Sequence, residues 1–428
     1  KSQPQGVLVA TLSSDARGMR VFVFSCSGRE LADLPASPSW HLQDVLEALP
    51  KDTGAPLCER RLLFGERELC ESLTLADLGA SGTVELTLVI TPPLRVVCAG
   101  RDGAAKIFSA ATAECLCVLK NDTHGSDVRS VMFSTDGKQV FTVSHDHSAR
   151  VWCASSGECL LALGNFKDDP VSAVFSHDGE QVLVASDCLA RVWSITSATC
   201  LSTLEGHQDL VQSAVFSPDG CHALTASSDC TAKIWSTASG VCSRTLDGHL
   251  DYVQSAAYSS SGDAVLTVSF DCTAKIWSAS SGMCLHTLEH QEDYVKRAVF
   301  SPDCKMVLTF FNSTAKVWSV ISGGCLSTLD SHENTVRFAA FSPGGCEVLT
   351  VSCDHVAKIW SPVSGKCLTA LRGHTGDVLS AVFSPDGTEL LTASMDGTAR
   401  MWSTRSGKCL RTFDLGCPCL AAAFSPSP

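Results

Sequence analysis

VQSAVFSPDGCHALTASSDCTAKIWSTASGVCSRTL, residues 211–246, holds four short apolar segments set apart by turn residues. VQSAVF (211–216) has the β-branched and aromatic content of a strand. Ser217-Pro218-Asp219-Gly220 follows, where proline presets φ at one turn position and glycine tolerates the left-handed one. ALTAS (223–227) is a second strand, Ser228-Asp229 a tight turn, TAKIWS (231–236) a third strand, and VCSRTL (241–246) a fourth after Gly240. With no helical periodicity, the stretch predicts a small antiparallel sheet that cannot bury both faces alone.

The same phrase recurs eight times. An aromatic stands at one register of each copy, as Phe108, Trp152, Trp193, Trp235, Trp277, Trp318, Trp360 and Trp402, at intervals of 41 to 44 residues. Four strands per period mean that neighbouring sheets must stack on one another. EGHQDLVQSAVFSPDG, LTASSD and TAKIW resemble the repeat of WD-repeat β-propellers, with Ser where Asp usually follows Trp, over residues 94–428. The resemblance implies blades around a central channel, the first strand of each lying nearest the axis.

It also implies a side-chain hydrogen-bond chain of His, Ser, Asp and Trp within a blade. The set is complete as His124, Ser144, Asp146 and Trp152; as His207, Ser227, Asp229 and Trp235; and as His249, Ser269, Asp271 and Trp277. It returns as His332, Ser352, Asp354 and Trp360, and as His374, Ser394, Asp396 and Trp402. Each network would pin a hairpin turn to the loop entering its blade. A hydrolase triad uses the same residue types. Five identical sets, each with a Trp and none beside a nucleophile elbow or oxyanion-hole motif, read as scaffolding.

Three units depart from the pattern. The unit of Trp193 has Phe166 in the His position and is one residue shorter before Asp187. The unit of Trp318 has an extra residue after His290, then Phe310, Phe311 and Asn312. The first has Gly100-Arg101-Asp102 and Phe108. Drift in blades supported by neighbours and adaptation for binding are both open readings. The segment from Leu94 supplies a second, third and fourth strand, and CLAAAFSPSP (419–428) a first. Joined, they make one blade, so the ring is predicted to close with eight blades and no open edge, seven being the alternative.

Residues before 94 lie outside the repeat. Residues 1–18 read as an N-terminal extension, and MRVFVFSCSGRELADL (19–34) as a hairpin turning at Ser27-Gly28. SWHLQDVLEAL places Leu42, Val45, Leu46 and Leu49 on one helical face, with Ser39 as cap and Pro50 as stop. RRLLFGEREL and GTVELTLVI are further strands. This order, with RLLFGERELCESLTLADLG, resembles ubiquitin over 19–90, so a small α+β ubiquitin-like (β-grasp) domain is expected before a linker at 91–93. Thr91-Pro92-Pro93 stands where a terminal Gly-Gly would be needed, which argues against conjugation. Of the positions matching ubiquitin's apolar patch, Leu63 is kept, while Cys26, Glu85 and Thr87 replace the others.

The balance of 32 Lys and Arg against 45 Asp and Glu, a net charge of −13, repels nucleic acid and anionic bilayers. No apolar run reaches the length of a membrane span, and KSQPQGVLVATLSSD lacks the order of a secretory signal. Eight of the 23 cysteines, Cys115, Cys159, Cys200, Cys242, Cys284, Cys325, Cys367 and Cys409, recur at one repeat position. Equivalent positions on stacked units do not meet disulfide geometry, so they read as buried small apolar residues in a reducing, intracellular compartment, cytoplasmic or nuclear. Cys417-Pro418-Cys419, a lone pair, makes a weak metal signal, and no metal or cofactor is expected.

Function is expected on the rim where blade-to-blade loops and the turns between second and third strands gather. Tyr252 and Tyr294 occupy one loop position in adjacent blades. Phe270 and Phe311 lie in the turns, and Lys296 and Arg337 start first strands. Aromatics beside cations suit a protein or peptide docking patch, the other reading being packing between loops. The function expected is a non-catalytic scaffold or adaptor, with the ubiquitin-like domain docking a second partner. The alternative is a substrate-recruiting component of a ubiquitin ligase or proteasome route. An enzyme using the channel would need a ligand cluster that the sequence does not display.

Overall fold

The computed structural model describes residues 94–426, apart from 121–126, 147, 164–171, 291–294 and 331, together with the backbone of six strands before residue 91. The chain divides into two compact units, Lys1–Pro93 and Leu94–Ser427. In the first, β1 (Val7–Asp15), β2 (Gly18–Ser25), β3 (Glu30–Ala36), β4 (Arg60–Phe64), β5 (Arg67–Glu68) and β6 (Val84–Ile90) form one sheet in the order β3-β2-β1-β6-β4-β5. Its pairings are antiparallel. The hairpin read over 19–34 corresponds to β2 and β3. The segment read as an N-terminal extension contributes β1, which lies between β2 and β6. The helix expected after Ser39 lies outside the described residues.

The second unit is eight four-stranded antiparallel sheets. Seven are continuous in sequence: blade 1 (128–163), blade 2 (172–205), blade 3 (211–246), blade 4 (253–289), blade 5 (297–330), blade 6 (336–371) and blade 7 (378–414). The turn between first and second strands is locked by its own side chains. In blade 3 the Cys221 N–H donates to Asp219 Oδ1 (3.0 Å), the His222 N–H donates to Ser217 Oγ (2.9 Å), and Gly220 takes φ +70°. That positive φ is why the position favours glycine.

Blade 8 is composite. Cys419–Phe424 pairs antiparallel with Arg95–Gly100, in a register running from Cys419↔Gly100 to Phe424↔Val96. The Arg95 N–H donates to Ser425 Oγ (2.9 Å), the Ser425 N–H to Arg95 O (2.7 Å), and the Arg101 N–H to Pro418 O (3.1 Å). The Arg95 guanidinium also reaches into blade 1, donating to Ala154 O (3.2 Å) and to Gly137 O. The ring therefore closes with eight blades, and the seven-bladed alternative is discarded.

The core is not inside blades but between them. Leu224, Ala226 and Ile234 of blade 3 pack with Val253, Val265 and Trp277 of blade 4, and equivalent clusters fill the other junctions. Blade 8 is held on both sides. Val96, Cys98 and Phe108 meet Leu391, Met401 and Phe413 of blade 7, while Val97, Ala99 and Ile107 meet Val128, Val140 and Trp152 of blade 1. Sheets sandwiched this way bury both faces of their inner strands, which is why second strands such as Ala264–Ser269 are buried at nearly every position rather than alternating, Thr267 and Ser269 included.

Outer strands behave differently, and here one expectation fails. All eight equivalent cysteines are exposed free thiols, not buried ones. Each lies opposite its blade aromatic beside a β-bulge, as Cys242 does opposite Trp235. The outermost strand lies where the wedge is widest, so neighbouring blades cover little of it, one residue in blade 3 (Leu246) and two in blade 1 (Leu161 and Leu163). The thiols bond locally instead, Cys242 Sγ donating to Arg244 O (3.3 Å) and Cys200 Sγ to Ser202 O (3.5 Å).

Candidate functional site

Two polar constructions repeat around the ring, one inside the blades and one at the channel. Inside blade 3, Trp235 Nε1–H donates to Thr225 Oγ1 (2.8 Å), and Thr225 Oγ1 lies 2.7 Å from His207 Nε2. His207 Nδ1 lies 2.7 Å from Asp229 Oδ2, which also accepts the Gln208 N–H (3.0 Å). With a neutral imidazole every proton has one direction: indole to threonine, threonine hydroxyl to Nε2, Nδ1–H to carboxylate. The ionisation fits this assignment. Burial lowers the pKa of His207 against the pull of Asp229. Burial raises the carboxyl of Asp229, yet bonds from Thr231, the Gln208 N–H and His207 outweigh it and hold it at about 2.

The arrangement repeats with His249, Thr267, Asp271 and Trp277, with His332, Thr350, Asp354 and Trp360, and with His374, Thr392, Asp396 and Trp402. The sequence reading therefore placed the right His, Asp and Trp but the wrong hydroxyl at the centre. Serine bonds elsewhere: Ser227 Oγ donates to Asp209 O (2.9 Å), Ser269 to Asp251 O (2.8 Å), Ser352 to Asn334 O (2.8 Å) and Ser394 to Gly376 O (3.0 Å), tying the turn to the entering loop. The threonine was visible two residues before each serine. In blade 1, Trp152 donates to Thr142 (2.8 Å), Ser144 to Asp127 O (3.2 Å), and Asp146 accepts from Ser148; His124 lies outside the described residues.

The second construction is the central cavity, about 650 Å³, lined by the first strands of all eight blades. Among the described residues its charged lining is Arg129, Lys296, Arg297 and Arg337, with no Asp or Glu. At its mouth a pocket of about 290 Å³ lies across blades 4, 5 and 6, formed by Gln254, Phe270, Lys296, Arg297, Phe310 and Arg337. Exposed Tyr252 meets Phe270 edge to face, ring centroids 6.4 Å apart at 86°. Burial lowers the pKa of Lys296, and the Arg337 charge adds to that. Arg337 Nε donates to Cys353 Sγ (3.1 Å).

Of the six rim residues expected, three converge on this pocket: Phe270, Lys296 and Arg337. Tyr252 stands beside it. Phe311 does not join them, because its ring packs inside blade 5 against His290, 4.9 Å between centroids. Tyr294 lies outside the described residues. Sequence reasoning missed Gln254, Arg297 and Phe310. Among the described residues no group of His, Cys, Asp and Glu is arranged to hold a metal.

The pattern described as "WD domain, G-beta repeat" matches residues 113–153, 157–194, 198–236, 240–278, 282–319, 323–361 and 365–403. The chain belongs to the WD-repeat family. Each match opens on the outer strand of one blade and ends on the third strand of the next, which is why seven matches accompany eight blades. Among solved structures, the crystal structure of the computationally designed Ika8 protein is similar, with 25% identity and a TM-score of 0.64 over 72% of this chain and 93% of that one. No curated protein matches. A WD-repeat propeller is typical of protein-interaction scaffolds and is generally non-catalytic.

Against the regular WD repeats, the three departing blades differ in what they leave unpaired. Blade 8 replaces threonine with Cys98 and tryptophan with Phe108, so no indole N–H needs a partner; Phe108 packs on Phe413 at 5.6 Å. Blade 2 keeps Trp193 but has Val184 in the threonine position, and Trp193 Nε1 is buried without an acceptor. Blade 5 keeps Trp318 bonded to Thr309 (2.8 Å) and keeps His290, but its shorter turn supplies no aspartate. Both ring nitrogens of His290 are buried without partners, its ring lying 4.9 Å from Phe311 and 5.1 Å from Trp318. Burial, then the nearby Lys316, pulls its pKa down to about 4.

Proposed function

We propose that this WD-repeat protein is a non-catalytic interaction scaffold that grips a protein or peptide at the channel mouth. The supporting observation is the pocket across blades 4, 5 and 6, where Phe270, Lys296 and Arg337 converge from residues far apart in sequence and Tyr252 extends the surface outward. An aromatic anchor beside clustered cations is the composition of an interaction hot spot, where truncation typically costs about 2 kcal/mol or more. The ubiquitin-like reading of residues 19–90 adds a second docking unit, so that the protein joins two partners inside the cell.

Affinity purification of the intact chain, compared with a variant carrying Tyr252→Ala, Phe270→Ala and Arg337→Ala, tests the reading. Loss of a defined set of co-purifying proteins, at unchanged thermal stability, is expected. An unchanged set removes the channel mouth from the account. A second reading, substrate recruitment for a ubiquitin ligase or the proteasome, is favoured by RLLFGERELCESLTLADLG alone. Ligase or proteasome subunits should then co-purify with the intact chain and be lost when residues 1–93 are deleted.

A further inference from the structure

The repeat supplies its own baseline for what the channel mouth needs structurally. At the second residue of the first strand, blade 3 has Gln212, whose Nε2 donates to Ser228 Oγ (2.9 Å) in the turn behind it. Blade 4 has the same glutamine, Gln254, but Phe270 replaces the serine. The acceptor for the glutamine Nε2 is thereby lost, and Gln254 Oε1 is itself buried with no hydrogen-bond partner, on the wall of the pocket. An acceptor in that state carries a free-energy cost that a donor from a ligand would relieve.

The cations depart from the baseline in the same sector. One residue further along the first strand, blades 1, 2, 3, 4 and 7 carry Ser130, Ser172, Ser213, Ser255 and Ser380, whereas blade 5 carries Arg297. Arg297 stands among the pocket's walls, where burial pulls its pKa down. Lys296 precedes it and Arg337 follows in blade 6. Among the described residues no ion pair engages any of the three. Three like charges share one pocket in a protein whose net charge is −13, and among the described residues no Asp or Glu lines it. Arg297 and Arg337 keep exposed surface and Lys296 is half-buried, and like charges grouped in a concave site attract an anion more strongly than isolated ones do.

The geometry points to an acidic peptide segment of a partner protein as the occupant of this pocket, its Asp and Glu side chains set against Lys296, Arg297 and Arg337 and a backbone N–H given to Gln254 Oε1. This rests on the scaffold reading above and names the chemistry of its partner. The positive charge is spread over two blades and two positions along the wall, with Arg129 further round the same cavity. That distribution fits a run of carboxylates better than one compact group. A peptide also brings the N–H donor, and an apolar side chain next to the acidic run would lie on Phe270 and Tyr252. A long nucleic acid extends its charge beyond the pocket onto a surface of the same sign.

Fluorescence anisotropy with the intact chain tests the proposal, using a labelled Glu- and Asp-rich peptide containing one Phe. The comparison probes are its Gln/Asn counterpart, a single-phosphoserine peptide without other acids, and a single-stranded oligonucleotide. The acidic peptide is expected to bind, the Gln/Asn peptide about tenfold or more weaker, and the affinity to fall with added salt. Arg297→Ser, which installs the residue of blades 1, 2, 3, 4 and 7, and Lys296→Gln should each weaken the acidic peptide by about tenfold or more at unchanged melting temperature. Equal binding of the Gln/Asn peptide, preference for the phosphoserine peptide or the oligonucleotide, or no binding of the acidic peptide overturns the proposal. In affinity purification, partners lost with Phe270→Ala but kept with Arg297→Ser would overturn the acidic-segment proposal and leave the scaffold reading standing. Partners kept with both would overturn the scaffold reading itself.

Discussion

Blades 3 and 5 hold the same tryptophan by the same bond and treat the same histidine in opposite ways. Trp235 and Trp318 each donate to a threonine at 2.8 Å. Beyond the threonine, blade 3 continues through His207 to Asp229, while blade 5 stops, and His290 is enclosed by Phe311 and Trp318 instead. The indole–threonine bond recurs in six blades, and the imidazole–carboxylate arm in four of the described ones. The comparison teaches that the histidine arm can be exchanged for aromatic packing when the turn shortens while the indole–threonine bond is kept, a bond that among the Trp-bearing blades only blade 2 lacks.

Breaking the shared element should have the largest effect. Thr225→Val keeps the shape but strands both Trp235 Nε1 and His207 Nε2, and is expected to cost about 3 kcal/mol in denaturant unfolding. A cost near zero would mean that the indole bond is incidental. The histidines sharpen the contrast because the same substitution should act with opposite signs. His207→Phe should destabilise by about 2 kcal/mol by taking one partner each from buried Asp229 and Thr225, whereas His290→Phe should stabilise by about 1 kcal/mol by removing an imidazole with no partner. The pH dependence follows from the same groups. The folded pKa of His290, about 4, lies below the ordinary value of 6.5, so the unfolded chain binds the proton first as pH falls. Its stabilisation is complete above pH 6.5 and declines between 6.5 and 4. The melting temperature should drop over that window, and less steeply in His290→Phe. The smallest effect is a repair: Val184→Thr offers Trp193 the missing acceptor in blade 2 and should add about 1 kcal/mol.

Much of this was legible in the chain. Strand–turn–strand chemistry is local, so the blade could be read from one copy, and counting strands at the two ends anticipated the composite blade 8. The identity of the central hydroxyl was not, because Thr225 and Ser227 are chemically similar and share a strand face, and only their position along the strand separates them: Ser227 ends it beside the entering loop and Thr225 lies deeper. The exposure of the eight cysteines was illegible for another reason. Their apolar neighbours suggest burial, and only the widening of each wedge toward its outer strand leaves them uncovered. Of two phenylalanines assigned to turns, Phe270 reached the pocket and Phe311 turned inward, a consequence of one residue missing from the turn of blade 5. Arg297 was detectable only as the one cation at a register where five blades carry serine, blade 6 Phe338 and blade 8 Ala421.

By itself the sequence determined the blade, its repetition and the number of copies, since those depend on propensities and turns within about 40 residues. The tertiary structure alone decided which side chains meet across blades: Gln254 and Phe270 with Lys296 and Arg297, and those with Arg337. Ring curvature brings first strands together around one axis while it spreads the outer strands apart, and no pattern inside a single repeat encodes that curvature.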